Sequence, residues 1–171
     1  MRSQLNARTL ALTPILVIMQ AFSWKGVVLG GITDIVATNI TAFPLAIVAA
    51  IGTDLTSLPK AERGKALVAV MHASLGFQMT GWVLGAMCSV LGGYVAARIA
   101  KRGEVMNGAL SAYLCVGIGV YSVIAGHSAT PLWQQLVAFV GSPLLGAYGG
   151  YLRVKQANRA LAATDTMVQP A

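Results

Sequence analysis

Asp34 is the residue whose type and position most clearly suggest chemistry, because it is an acidic side chain within a long apolar stretch. At 100° per residue, Gly30, Asp34, Thr38 and Thr41 fall on one face of a helix, and Asn39 lies off that face. An ionised carboxylate at the centre of a membrane helix costs about 2.5–3.5 kcal/mol. The polar stripe formed by Asp34, Thr38 and Thr41 should therefore face protein or water rather than lipid.

Two interpretations of Asp34 are open at this stage. In the structural one, the carboxyl group is hydrogen-bonded or ion-paired, and Arg98 is the candidate partner because it ends a neighbouring apolar stretch. In the functional one, Asp34, Thr38 and Thr41 line a site for a proton or a cation. The predicted spans contain no second acidic residue, whereas proton pathways commonly use several ionisable groups. The sequence therefore favours the structural interpretation.

Catalysis and metal binding find little support in the sequence. It contains no HExxH, no GxSxG, no P-loop and no paired carboxylates. His72 and His127 lack an acidic or cysteine partner at ligand spacing. Cys88 and Cys115 lie in apolar runs, which is typical of small buried side chains. We predict no catalytic residue, no metal and no cofactor, and hence a protein that is not an enzyme.

The composition indicates a chain surrounded by lipid. Of 171 residues, 56% are hydrophobic and 10% are charged, whereas soluble domains carry about 25% charged residues. The net charge of +7 comes from short basic clusters between uncharged runs. Because no basic stripe with interleaved aromatic residues is present, we expect no nucleic-acid binding. The expected partner of the chain is the lipid bilayer.

The uncharged runs predict four transmembrane helices, since about 20 apolar residues cross a bilayer. They lie at about 26–51, 74–98, 108–126 and 132–152, and Pro44 and Pro143 should kink the first and the last. The run 105–152 is long enough for two spans, with a turn at 126–131. The predicted fold class is therefore all-α, a polytopic membrane protein built as an antiparallel bundle of about four transmembrane helices.

The sequence also predicts what flanks the bundle. Residues 1–23 form an N-terminal tail with a short interfacial helix at 10–23, and the transmembrane domain covers 24–154. A second short helix, at 59–73, leads into the second span without crossing. Residues 155–171 form a tail that is expected to fray from about Ala160, because it is small and polar.

The distribution of Lys and Arg predicts the orientation of the bundle. With the N-terminus inside, nine basic residues lie on the inner side and three on the outer side, as the positive-inside rule requires. Both termini are therefore expected in the cytoplasm. The inner residues are Arg2, Arg8, Lys25, Arg98, Lys101, Arg102, Arg153, Lys155 and Arg159, and the outer ones are Lys60, Arg63 and Lys65.

A row of small residues recurs every four positions along the second predicted span. In lipid, no hydrophobic force drives helices together, so they associate through close packing, which small residues allow. We expect this helix-packing face to serve the four-helix bundle itself, and the alternative is that it docks against another subunit. The face consists of Gly81, Gly85, Ser89, Gly93 and Ala97.

One stretch resembles a widespread group of small, uncharacterised bacterial membrane proteins. It reads Gly92-Gly-Tyr-Val-Ala-Ala-Arg-Ile-Ala-Lys-Arg102, followed by Glu104 and by Asn-Gly-Ala-Leu at 107–110. The opening Gly30-Gly-Ile-Thr-Asp-Ile is also similar to that group, and the match covers about half of the chain. Asn107 stands where the group has histidine. The resemblance implies a bacterial multi-span protein of about four helices and brings no known activity with it. The expected location is the bacterial inner membrane.

The basic residues of this stretch also have a physical interpretation. Arg98, Lys101 and Arg102 form a cluster that is expected to meet the anionic inner leaflet.

Two functions follow as hypotheses. The first is a non-enzymatic accessory or assembly component that packs through small-residue faces against a second copy or another membrane protein. The alternative is a small transporter or channel that uses the intramembrane stripe at Asp34. A water-lined pocket around Asp34 would favour transport, whereas a dry, tightly packed interior with a flat, outward glycine-rich face would favour the accessory role.

Overall fold

The computed structural model describes residues 21–125 and 131–168, and these residues form five helices and no strand. The predicted all-α class is therefore confirmed for this part of the chain. The predicted interfacial helix at 10–23 and the turn at 126–131 lie largely outside the described residues. The helices are α1 (Trp24–Ile51), α2 (Lys60–Ala73), α3 (Leu75–Ala100), α4 (Glu104–Ile124) and α5 (Leu132–Val168).

Three of the described helices, α1, α3 and α4, are long and apolar enough to cross a membrane. They coincide with the first three predicted spans. Their outer faces carry large apolar side chains, and on α1 Ile40, Phe43 and Ile51 are 66%, 68% and 82% exposed. Lipid solvates such surfaces, whereas water would not favour a continuous apolar face of this size.

The helix α5 differs from the other three long helices. It lies at the predicted fourth span, but it is not among the helices that are apolar enough by composition to cross. Gln134, Gln135 and Ser142 interrupt its apolar half. The predicted fraying from Ala160 is wrong, because α5 remains helical to Val168. Alanine has the highest helix propensity of all residues, and three alanines lie between 160 and 163.

The short helix predicted at 59–73 is confirmed as α2. Pro59 precedes its first residue, and Ser74, which has extended backbone angles, separates it from α3. The loop before α2 is held by Asp54, whose carboxylate accepts hydrogen bonds from the Thr56 hydroxyl at 2.6 Å and from its backbone N–H at 3.2 Å. These bonds, the hydroxyl first, hold the pKa of Asp54 below its ordinary value.

The four long helices approach backbone to backbone at one end, which we call the basic end because it carries Arg98, Lys101, Arg102 and Arg153. A Cβ atom added to Gly26 would lie 2.8 Å from the carbonyl oxygen of Ala96. One added to Gly30 would lie 2.7 Å from that of Gly92. Glycine is therefore required where α1 crosses α3, since any side chain would force the backbones apart.

A similar crossing joins α3, α4 and α5 at the same end. A Cβ atom on Gly93 would overlap the carbonyl group of Gly146, and one on Gly146 would overlap the carbonyl oxygen of Gly108. One on Gly150 would lie 2.6 Å from the carbonyl oxygen of Glu104. Three helix backbones thus meet around Gly146 with no side chain between them.

The opposite half of the bundle is open. Added Cβ atoms on Gly85 and Gly141 would have no neighbour within 4 Å, and one on Gly81 would reach only Leu45, at 4.0 Å. The long helices are therefore tightly joined at the basic end and splayed at the other. Such a shape leaves space between the helices, and that space contains the candidate site.

Asn107 secures the basic end. Its side chain is completely buried, and its amide nitrogen donates to the carbonyl oxygens of Ala21 at 2.7 Å, Gly103 at 2.9 Å and Arg102 at 3.0 Å. Its amide oxygen accepts from the backbone N–H of Ser23 at 2.8 Å. One side chain therefore joins the segment before α1 to the turn between α3 and α4.

Candidate functional site

The splayed half of the bundle contains a cavity of about 630 Å³ lined by α1, α3, α4 and α5. It extends along α3 from Ser89 to Gly81, about 12 Å at 1.5 Å per residue. Most of the lining is apolar or glycine, and none of the described lining residues is Lys, Arg or His. The hydroxyl, amide and carboxyl groups of the lining belong to Asp34, Thr38, Asn39, Ser89, Gln134 and Ser142.

Asp34 lies where the tight and the open halves meet. Its side chain is 2% exposed and borders the cavity. The Ser89 hydroxyl donates to Oδ2 at 3.3 Å, and the Thr38 hydroxyl donates to Oδ1 at 3.5 Å. Hydrogen bonds from hydroxyl groups to carboxylates are normally about 2.5–2.7 Å long. The two bonds are therefore weak ones for a buried carboxylate.

The structure does not bring the predicted ion-pair partner to Asp34. Arg98 is exposed and lines a groove at the basic end. It lies nine residues after Ser89, about 13 Å further along α3, and it forms no ion pair with any described residue. The pairing was predicted from where the two helices end. The ends of two helices do not determine which residues lie opposite each other along their length, and so the prediction was wrong.

The polar stripe on α1 is divided between two environments. Thr38 lines the cavity with Asp34, but Thr41 does not. The Thr41 hydroxyl donates to the carbonyl oxygen of Ala37 and lies 3.7 Å from the sulfur of Cys88. Asn39, which the helical geometry placed off the stripe, does line the cavity. Thr41 lies on the face of α1 that packs against α3. The cavity lies beside that contact, on the face of α1 that carries Asn39.

The helix-packing face on α3 is likewise divided, and all of it is turned into the bundle. Gly81 and Gly85 line the cavity, and Ser89 donates to Asp34. Gly93 and Ala97 are buried in the tight half. Packing within this chain therefore accounts for Ser89, Gly93 and Ala97, whereas Gly81 and Gly85 border open space, and an added Cβ atom on Gly85 would have no neighbour within 4 Å.

Polar groups on α5 were not identified from the sequence. Gln134 and Ser142 line the cavity opposite α1. The adjacent glutamines at 134 and 135, at the start of an apolar run, could have indicated a polar interior, because an amide exposed to lipid is unfavourable. Trp82 also lines the cavity, and its ring meets Trp133 of α5 edge to face, with 5.9 Å between the ring centroids.

Of the described histidine and cysteine residues, Cys115 alone lines the cavity, and its thiol is hydrogen-bonded to Asp34. Among residues 21–125 and 131–168, no group of three or more His, Cys, Asp or Glu side chains could hold a metal ion. Cys115 lines the cavity and Cys88 is buried, both as free thiols. His72 lies in α2, outside the cavity lining, and His127 lies outside the described residues.

The fold and the cavity together define the class of protein. The described chain is all-helical, with three helices able to cross a membrane and a buried carboxylate beside a largely apolar cavity. No known protein family, curated protein or solved structure matches this chain.

Proposed function

We propose that this protein is a small membrane transporter or channel whose solute site is the cavity at Asp34. The observation that carries the proposal is a carboxylate bonded by two distant hydroxyl groups and the Cys115 thiol, placed beside about 630 Å³ of space that no described cationic side chain lines. The role is one of binding and passage rather than catalysis.

The energetics of Asp34 support a role beyond structure. An ionised carboxylate at this depth costs about 2.5–3.5 kcal/mol. A well-formed hydrogen bond to a charged group returns about 1.5–3 kcal/mol, but the two hydroxyl bonds to Asp34 are longer than the normal range, so they offset this cost only in part. Asparagine or serine would bond Ser89 and Thr38 without the charge. A carboxylate becomes useful when a proton or a cationic solute in the cavity neutralises it. The proposed solute is therefore a proton or a small cation with an apolar body.

The accessory hypothesis depended on a small-residue face offered to a partner. Gly93 and Ala97 are buried within the bundle and Gly81 and Gly85 border the cavity, so that face is turned inward and is not a flat outer surface. We therefore favour transport over an assembly role.

The proposed architecture is an antiparallel bundle of four spans in the bacterial inner membrane, with both termini in the cytoplasm. Contacts of Gly26 with Ala96, and of Leu45 with Gly81, support opposite directions for α1 and α3. From Leu132 to Leu152, α5 is about 30 Å long, enough to cross the hydrocarbon core. The basic end then faces the cytoplasm, and the splayed half lies toward the outer face.

Reporter fusions test this topology. A periplasmic alkaline phosphatase should be active when inserted after Ser57, between α1 and α2, and inactive when fused after Ala171. The two sites are separated by α3, α4 and α5, so they lie on opposite sides only if α5 crosses. Activity at both sites would show that α5 does not cross, and the reversed pattern would invert the bundle.

Replacing Asp34 with asparagine tests the function. In proteoliposomes, wild-type protein should take up tetraethylammonium, a cation that crosses bare lipid poorly, or pass protons to an enclosed pH dye. Asp34→Asn should lower that rate by about tenfold or more, the effect of losing about 1.4 kcal/mol of interaction, because the neutralising charge is gone.

The control is Thr33→Val. The Thr33 hydroxyl donates to the carbonyl oxygen of Leu29 at 2.7 Å, and Thr33 does not line the cavity. Both variants should keep their unfolding temperature in detergent within a few degrees of wild type. Loss of folding in Asp34→Asn, or transport at the wild-type rate, would return Asp34 to a structural role.

A further inference from the structure

A second concave surface lies at the basic end, between the last turns of α3 and the extension of α5. It encloses about 540 Å³, and we call it the Arg98–Arg153 groove. Tyr94 and Arg98 line it from α3, and Arg153, Gln156, Ala157 and Leu161 line it from α5. It shares no lining residue with the cavity at Asp34.

The groove carries two positive charges without a described counter-charge. Arg98 and Arg153 form no ion pair with any described side chain. Glu104, the described acidic side chain at this end, also pairs with neither of them. Two guanidinium groups that line one groove repel each other unless an anion lies between them.

The remaining polar groups of the groove are arranged around this charge. The Tyr94 hydroxyl donates to Oε1 of Gln156, which joins α3 to α5 and fixes the orientation of the amide. The amide nitrogen of Gln156 has no hydrogen bond to the described residues, so its N–H groups remain available. The groove therefore presents two guanidinium groups and an amide N–H₂, an excess of donors that suits an anion with several oxygen atoms.

We propose that the Arg98–Arg153 groove binds a phosphate group, supplied by an anionic lipid headgroup or by free phosphate. Guanidinium groups form paired hydrogen bonds to phosphate oxygens, a geometry that a single lysine does not provide. The groove lies where α3, a helix able to span the membrane, ends. Headgroup phosphates lie at this level, and so a lipid such as phosphatidylglycerol is the expected source.

This site is distinct from the general basic cluster predicted from the sequence. Lys101 and Arg102 lie three and four residues after Arg98 but do not line the groove. Lys101 ends α3 with a left-handed backbone, φ 58°, which begins the turn toward α4. A surface that only attracts anionic lipid would use all these charges, whereas a built phosphate site needs Arg98 and Arg153 in particular.

The test compares two double variants that remove the same charge from the same end. Native mass spectrometry should detect retained dioleoylphosphatidylglycerol, and not dioleoylphosphatidylcholine, on wild-type protein and on Lys101→Gln/Arg102→Gln. On Arg98→Gln/Arg153→Gln, retention should be about tenfold lower, because the paired hydrogen bonds are lost. Equal loss in both double variants, or equal retention of the two lipids by wild type, would overturn the proposal.

Inorganic phosphate separates the two sources. If phosphate at millimolar concentration raises the unfolding temperature of lipid-free wild-type protein, and the rise is absent in Arg98→Gln/Arg153→Gln, the groove binds free phosphate. If phosphatidylglycerol alone has that effect, the headgroup is the ligand. If the double variant does not fold, Arg153→Gln alone replaces it in both measurements. Phosphate that displaces bound lipid from wild-type protein would then show that the two ligands share the groove. A failure of either proposal leaves the other intact, because the groove and the cavity at Asp34 are tested on different residues.

Discussion

Gly146→Ala is expected to destabilise the bundle by roughly 2–3 kcal/mol, although alanine is the better helix former. The added methyl group would overlap the carbonyl oxygen of Gly108, and Gly93 already packs against the backbone of Gly146. The α5 backbone would have to move away from α3 and α4 together. The gain of about 1 kcal/mol in helix propensity is smaller than the cost of forcing three backbones apart. Thermal unfolding in mild detergent, followed by circular dichroism, measures the change.

Gly117→Ala is the matched control, because it makes the same chemical change in α4. Nothing lies within 4 Å of an added Cβ atom at Gly117, and this residue does not line the cavity. We expect a neutral change or a gain of up to about 1 kcal/mol. If both variants behaved alike, the close approach of α3, α4 and α5 at Gly146 would be refuted.

Asn107→Ala should lower stability by roughly 2–4 kcal/mol, because one truncation leaves several backbone groups unpaired. The carbonyl oxygens of Ala21 and Arg102 and the N–H of Ser23 all lose their bond to the amide. The segment before α1 would separate from the turn between α3 and α4. Thermal unfolding and proteolysis near Ser23 would both report this separation.

Two further variants make the result specific to the amide. Asn107→Asp keeps an acceptor for Ser23 but replaces the donors with oxygen, so it should destabilise at least as strongly as alanine. Asn39→Ala removes an exposed asparagine whose amide donates to its own helix, at the carbonyl oxygen of Ile35. It should change stability by less than about 1 kcal/mol. A stable Asn107→Asp protein would contradict the donor role.

The helices could be predicted from the sequence because the features that produce them lie within each segment of the chain. Long uncharged runs predict α1, α3 and α4, and Pro59 predicts the start of α2. The end of α5 was missed because small residues near Ala160 resemble a frayed tail in composition, while their helix propensity favours continuation.

The candidate site could be predicted only in part. Asp34 was recognisable as an exceptional residue, since an acid within an apolar run needs a reason. Its neighbours were not. Thr41 shares its helical face with Asp34 but packs against Cys88, while Asn39 and Gln134 reach the cavity from positions that no single-helix pattern connects.

What the sequence determined by itself was a chain whose apolar runs and basic clusters suit a bilayer, with one carboxylate inside. What only the tertiary structure decided was where each glycine matters. Small residues occur along all four long helices, but Gly146 permits close contact and Gly117 faces open space. The physical reason is that helix crossings depend on distances between backbones far apart in sequence. Those distances close the bundle at one end and leave a cavity beside Asp34 at the other.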